Sequence, residues 1–202
     1  MMKAVVFDID NVLYDRDASL TAAADAVSLY CEKEFDLHFS LLEAEPPEVP
    51  AVLSLCLSGS ENVQSAIPLY AMLRRACIVP YPEVAGILSE LKRCGMKLAV
   101  FTRAEGSAVI PLLDALGYLP FFDAVYTHEC FAYRKRVTNP YAEVLQSLGL
   151  YADEGVMVGE GTMQILREFS PSRALSLLQD IARSSSRTNQ YLRRAWKYSN
   201  GW

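Results

Sequence analysis

The stretch Ala4-Val5-Val6-Phe7-Asp8-Ile9-Asp10-Asn11-Val12-Leu13-Tyr14-Asp15 decides how this chain folds. Residues 4–9 form a short apolar run rich in β-branched side chains, the pattern of a strand buried in a parallel sheet. The run ends on two carboxylates, Asp8 and Asp10, which therefore fall at the C-terminal end of the strand. Carboxylates at i and i+2 share one face of a strand. One of them can attack while the other moves protons, the division of labour that transfer through an aspartyl phosphate requires. A cation would offset the phosphate charge. A DxD pair alone is equally compatible with a solvated loop. The apolar run before it and the segment Asn11-Val12-Leu13-Tyr14-Asp15 after it carry the functional reading.

Outward from this strand, the pattern turns helical over residues 18–35, where Leu20, Ala23, Ala24, Val27, Leu29 and Tyr30 make much of one face. Pro46-Pro47-Glu48-Val49-Pro50 reads as a break. Residues 51–57 and 63–77 read as further helices, separated by Ser58-Gly59-Ser60. After Pro80-Tyr81-Pro82 the period changes. A helix over 83–94 ends at Gly95, which suits a C-cap, and a buried strand over 96–102 follows. A helix over 107–116 ends at Gly117, a weaker strand covers 124–126, a helix covers 140–148, and 155–159 is a strand and turn. Strands alternating with helices predict an α/β fold with a Rossmann-like parallel sheet. In such sheets ligands bind at the C-terminal strand ends, where every candidate residue below falls. The expected organisation is a core of residues 1–15 and 81–165, a small all-helical cap over 16–80, and an atypical helical C-terminal segment over 166–202. In that segment Ser170-Pro171 opens a helix that runs to 182. Ser184-Ser185-Ser186 is a linker, and 190–198 is a basic, aromatic helix. No strand is expected after Val158.

The 202 residues suit one core domain with a small insertion. A composition 51% hydrophobic and 21% charged is globular, and the net charge of −5 argues against nonspecific nucleic-acid binding. The five Cys are scattered, with only two His in the chain, which is neither a zinc pattern nor a disulfide framework. An odd number of Cys fits a reducing compartment. The N-terminal apolar run is too short for a signal peptide, and no stretch approaches the ~20 apolar residues of a membrane helix. A cytoplasmic protein without membrane or nucleic-acid partners is expected.

Residues 4–15 resemble the first motif of the haloacid dehalogenase-like hydrolases, hhhhDxDxxLxD, including Leu13 and Asp15. The wording FDIDNVLY looks most like pyrimidine 5'-nucleotidase relatives. The resemblance implies that Asp8 is the nucleophile and Asp10 the general acid/base, with the Asp10 carbonyl helping to bind Mg²⁺. Dehalogenases usually lack the second Asp, so Asp10 favours phosphate chemistry. Leu98-Ala99-Val100-Phe101-Thr102 resembles the second motif, which implies that the Thr102 hydroxyl holds a phosphoryl oxygen; read alone, Thr102 is also an ordinary helix N-cap. Spacing back from Leu148-Gly149 puts the family's Lys on Lys135, flanked by Arg134 and Arg136, although the family's prolines are missing and a solvated basic turn is the other reading. Asn11, Arg103 and Arg134 are the candidate substrate-binding residues. Val156-Met157-Val158-Gly159-Glu160 resembles the fourth motif and implies Glu160 as the third Mg²⁺ ligand, beside Asp8 and Asp10. Glu160 is one methylene longer than the usual Asp, and Ile165 stands where a second acid is usual. The resemblance covers residues 3–162 and implies a helical cap that closes over the site.

The expected activity is Mg²⁺-dependent hydrolysis of a small phosphate monoester. Two other readings stand beside it. One is a weak or inactive family member that binds a phosphorylated ligand or a protein partner; the other is a phosphomutase. Self-association through the cap or the C-terminal segment is left open. His38 and His128 have no partner at metal spacing. Tyr14, Tyr30, Tyr70 and Tyr81 line a cap pocket or pack in a core. The tail aromatics and cations pack against the body or meet a partner.

Overall fold

The computed structural model describes residues 2–38, 49–57, 62–132, 140–151, 153–162, 174 and 176–179. The expected Lys135, Arg134 and Ile165 lie outside the described residues, as do nearly all of 166–202.

Strand β1 (Ala4–Phe7) is fully buried, because its four apolar side chains point alternately to both covered faces of a sheet. It pairs in parallel with β4 (Lys97–Phe101) on one side and β6 (Gly155–Val158) on the other, so that Phe7 sits opposite both Val100 and Val158. β5 (Ala124–Tyr126) completes the order β5-β4-β1-β6, with all pairs parallel. On one face Ala4 and Val6 of β1 and Ala99 and Phe101 of β4 pack with Val144 and Leu145 of α7 (Pro140–Ser147). α4 (Val84–Arg93) packs on β4 and buries Val84, Ile87, Leu88 and Leu91, a 3.6-residue stripe. α5 (Gly106–Ala115) follows β4, and α6 (His128–Ala132) follows β5. The α/β parallel sheet expected from the sequence is the fold.

The chain divides into two compact units, Met1–Leu13 with Pro82–Trp202, and Tyr14–Tyr81. The second unit holds α1 (Arg16–Phe35), α2 (Val49–Cys56) and α3 (Asn62–Ala76). Its core joins Ala23, Ala24, Val27 and Cys31 of α1, Val49 and Leu53 of α2, Leu57, and Ala66 and Tyr70 of α3. Tyr70 is thus a core residue, and Tyr30 packs at the edge of the same cluster, edge-on to Phe35.

Several boundaries differ from the sequence reading. β1 ends at Phe7, two residues early: the Asp8 N–H still reaches the neighbouring strand, but the turn that follows opens at Ile9, whose carbonyl accepts from Val12 and Leu13. α1 begins at Arg16 rather than 18, because Asp15 caps it: its Oδ1 accepts the Ala18 N–H at 2.9 Å. α2 begins at Val49, inside the expected break, with Pro50 in its first turn, where a missing N–H costs nothing. The second unit also holds a two-stranded antiparallel ribbon of β2 (Tyr14–Asp15) and β3 (Val79–Pro80); the sequence reading kept residues 14–15 with the core and made 16–80, which includes β3, all-helical. Strands of two residues have no periodicity to read, and these pair across more than sixty positions. Ser19 ties the ribbon to α1: its hydroxyl donates to the Asp15 carbonyl at 2.5 Å and accepts the Val79 N–H at 2.9 Å.

Candidate active site

The C-terminal edge of the parallel sheet gathers the candidate residues by register. Neighbouring strands lie about 4.8 Å apart, so the residues that follow β4, β1 and β6 emerge side by side. These are Thr102, Asp8 and the pair Gly159-Glu160. The Asp8 N–H still donates to the Val158 carbonyl at 3.0 Å, which carries the β1–β6 ladder up to Asp8 itself. Beyond it the chain turns sharply. The N–H groups of Val12 and Leu13 donate to the Ile9 carbonyl at 3.1 and 2.9 Å, and Asn11 takes a left-handed φ of 55°. Asn tolerates that region because its short polar side chain bonds locally. Ile9, Val12 and Leu13 are buried and anchor the turn, while Asp10 is exposed at its tip.

The Asp8 side chain is half-buried, and its Oδ1 accepts the Ile9 N–H at 2.8 Å. Burial pushes its carboxyl above the usual Asp range. The Ile9 N–H pulls it back, the neighbouring Asp10 pushes it up again, and the charge of Arg103 favours the ionised form. Arg103 is exposed at the end of β4 and close enough to act electrostatically on Asp8. Thr102 is half-buried; its N–H donates to the Tyr126 carbonyl at 2.9 Å, and its hydroxyl accepts the Ala104 N–H at 3.2 Å. Glu160 is exposed and opens a helical turn after β6. Asp8, Asp10, Asn11, Thr102, Arg103 and Glu160 therefore all stand at one edge of the sheet. Lys135 and Arg134 fall outside the described residues. His38 is exposed beside Glu32, and the five Cys are all free thiols.

The sequence reading did not anticipate Thr127 and Glu129. Thr127 is buried just past β5 and its hydroxyl donates to Glu129 at 2.5 Å. Glu129 in turn accepts the Gly106 N–H at the start of α5. No local pattern announces a bond between positions so far apart; an acid on a short helix after a strand was the only sequence sign.

This fold is that of a known class. The profile of the haloacid dehalogenase-like hydrolases matches residues 5–166, and the chain belongs to that family of enzymes. It is 29% identical over 184 residues to the glyceraldehyde 3-phosphate phosphatase of Methanothermobacter thermautotrophicus, covering 79% of this chain and 77% of that one. It is 31% identical over 172 residues to the phosphoglycolate phosphatase of Agrobacterium fabrum, covering 80% of this chain and 73% of the relative. Among solved structures, a proposed beta-phosphoglucomutase of Thermotoga maritima superposes with a TM-score of 0.65 at 16% identity, over 89% of this chain and all 100% of that one. A proposed hydrolase of the family from Bacillus subtilis, bound to magnesium, superposes with a TM-score of 0.57 at 13% identity, over 78% and 79% of the two chains. The chain is thus a hydrolase whose relatives are phosphatases. Among the described residues no helix is long and apolar enough to cross a membrane.

Proposed function

We propose that the protein hydrolyses small phosphate monoesters through an aspartyl phosphate on Asp8. The observation that carries this reading is the Asp8 carboxylate at the C-terminal end of the buried central strand, with Asp10 two residues on and Thr102 on the neighbouring strand end. The Ile9 N–H holds Oδ1 and leaves Oδ2 to attack. In the first step an Asp8 oxygen bonds to phosphorus in line, the bond from phosphorus to the ester oxygen breaks, and Asp10 gives that oxygen a proton. In the second, Asp10 takes a proton from water, the water oxygen attacks phosphorus, and inorganic phosphate leaves with Asp8 restored. The Thr102 hydroxyl donates to a phosphoryl oxygen, and Arg103, Arg134, Lys135 and Asn11 complete the anion site.

The donor set suits magnesium, a hard cation that takes oxygen ligands, one or two carboxylates and several waters. Asp8, the Asp10 carbonyl and Glu160 supply oxygen only, from one turn and the adjacent strand end. Among the described residues no three His, Cys, Asp or Glu side chains gather as a ready-made metal cluster, so a bound cation would draw its further oxygen ligands from water and the substrate's phosphate. When bound, Mg²⁺ offsets the negative charge of the phosphoryl group. Phosphoglycolate and glyceraldehyde 3-phosphate, the compounds in the relatives' names, are both small phosphate monoesters, and this class is the substrate expected here. The free thiols support a reducing, cytoplasmic setting.

The test is a panel of phosphate monoesters, including nucleotides and sugar phosphates, assayed with Mg²⁺ against the parent and Asp8→Asn. Release of phosphate by the parent and none by the variant is expected; unchanged release by the variant refutes the assignment. The longer, exposed Glu160 favours a second reading, a family member that binds a phosphorylated ligand with little turnover. Calorimetry with millimolar Mg²⁺ separates the two, since binding of the cation belongs to the first.

A further inference from the structure

The start of α5 is capped from outside its own segment. The first N–H groups of a helix have no partner within it. Glu105, at the N-cap of α5, makes no capping bond through its side chain, and the first turn holds no acid. Glu129, on α6, takes that place: its two oxygens accept the Gly106 N–H at 3.0 and 3.2 Å. A carboxylate is favoured there by the positive end of the helix dipole. Glu129 is held in turn by the hydroxyl of Thr127, which is only 7% exposed.

This contact is the last of a series. Thr102 N–H donates to the Tyr126 carbonyl at 2.9 Å, and His128 N–H donates to the Ala104 carbonyl at 3.0 Å. The backbone of β4 and β5 thus stays zipped past the strand ends at 102 and 104. At 106 a side chain, Glu129, continues what the backbone began. The Thr102 hydroxyl accepts the Ala104 N–H at 3.2 Å, so its direction depends on where Ala104 is held.

We propose that Glu129, braced by Thr127, is a positioning residue that clamps the 102–106 loop at Gly106 and so fixes the place of the Thr102 hydroxyl. The inference rests on the reading of Thr102 as a phosphate-binding group. Glu129 is not placed among the reacting groups; its bonds are to Gly106 and Thr127. It acts through the loop that carries Thr102 and Arg103.

The experiment joins amide exchange with a double-mutant cycle. In Glu129→Ala, exchange at Gly106 is expected to rise on the order of tenfold, the loss of about one hydrogen bond, with a smaller rise at Ala104. With p-nitrophenyl phosphate as substrate, Glu129→Ala is expected to lower kcat/KM roughly tenfold in the parent and less than about twofold in a Thr102→Ala background, since coupled residues are not additive. Glu129→Gln, whose amide oxygen still accepts from Gly106, recovers part of the loss. Equal losses in both backgrounds, or unchanged exchange at Gly106, overturn the proposal. If the parent hydrolyses no phosphate monoester, the functional reading falls instead. Exchange then decides the clamp alone: a rise at Gly106 reaching Ala104 supports it, and no rise overturns it.

Discussion

Gly155, the first residue of β6, gives the sharpest test of how α7 sits on the sheet. A Cβ built there would lie 2.5 and 2.9 Å from the two Cδ atoms of Leu145 and 3.0 Å from the Tyr141 hydroxyl. Carbon atoms in contact prefer about 3.5–4.0 Å, so Gly155→Ala requires a displacement of about 1 Å. Leu145 is completely buried, and the close packing of protein interiors leaves such a side chain little room to retreat. Overpacking of this kind costs about 1–3 kcal/mol. Gly155 has no positive φ, so Ala is otherwise tolerated there and gains about 0.4–1 kcal/mol from the stiffer unfolded chain. The net expectation is a loss of about 1–2 kcal/mol, read by urea denaturation, and a melting temperature lower by roughly 4 °C for a chain of this size. Leu145→Ala removes both clashing methyls. In that background Gly155→Ala is expected to cost about nothing, although Leu145→Ala itself costs about 2–5 kcal/mol. A neutral Gly155→Ala, or the same cost in both backgrounds, refutes the packing argument. The consequence reaches the candidate site, because β6 leads straight into Gly159 and Glu160.

Asp8→Asn is expected to lower phosphatase activity by at least ~10³-fold, as loss of a nucleophile does. The same variant has a stability signature. Burial raises the folded carboxyl of Asp8 above its unfolded value, so the fold binds the proton more tightly and stability falls as pH rises between those two values. With divalent cations chelated, Asp8→Asn is therefore expected to melt above the parent at neutral pH and to lose that advantage below the ordinary Asp range; equal melting at both pH values contradicts the burial argument. Chelation by EDTA is expected to abolish activity and Mg²⁺ to restore it, measured as phosphate release; full activity in EDTA removes magnesium from the proposal. Asp15→Ala removes the cap of α1 and is expected to cost about 1 kcal/mol in chemical denaturation, whereas Asp15→Asn, which keeps an accepting oxygen, costs less; equal losses mean that the charge, not the cap, matters.

The sequence by itself determined the sheet and the place of the Asp8 and Asp10 pair. Val5, Val6 and Phe7 are fully buried, Asp8 is half-buried and Asp10 exposed, and the point where the apolar pattern gives way is the C-terminal end of a strand. The same local logic found a strand ending on Thr102, which the structure closes one residue earlier, and a strand and turn followed by Glu160, because apolar runs and Gly caps are readable over a few residues. Local pattern could not say which strands are neighbours. That Thr102 and Glu160 flank Asp8 follows from the order β5-β4-β1-β6, which long-range pairing sets. Nor could it show that Ser19 receives the Val79 N–H, that Glu129 caps a helix in another segment, or that Gly155 is small because Leu145 lies against it. Each of these joins groups ten or more residues apart, in different elements. Hydrogen bonds and steric contacts depend on distance in space, and only the tertiary fold sets that distance.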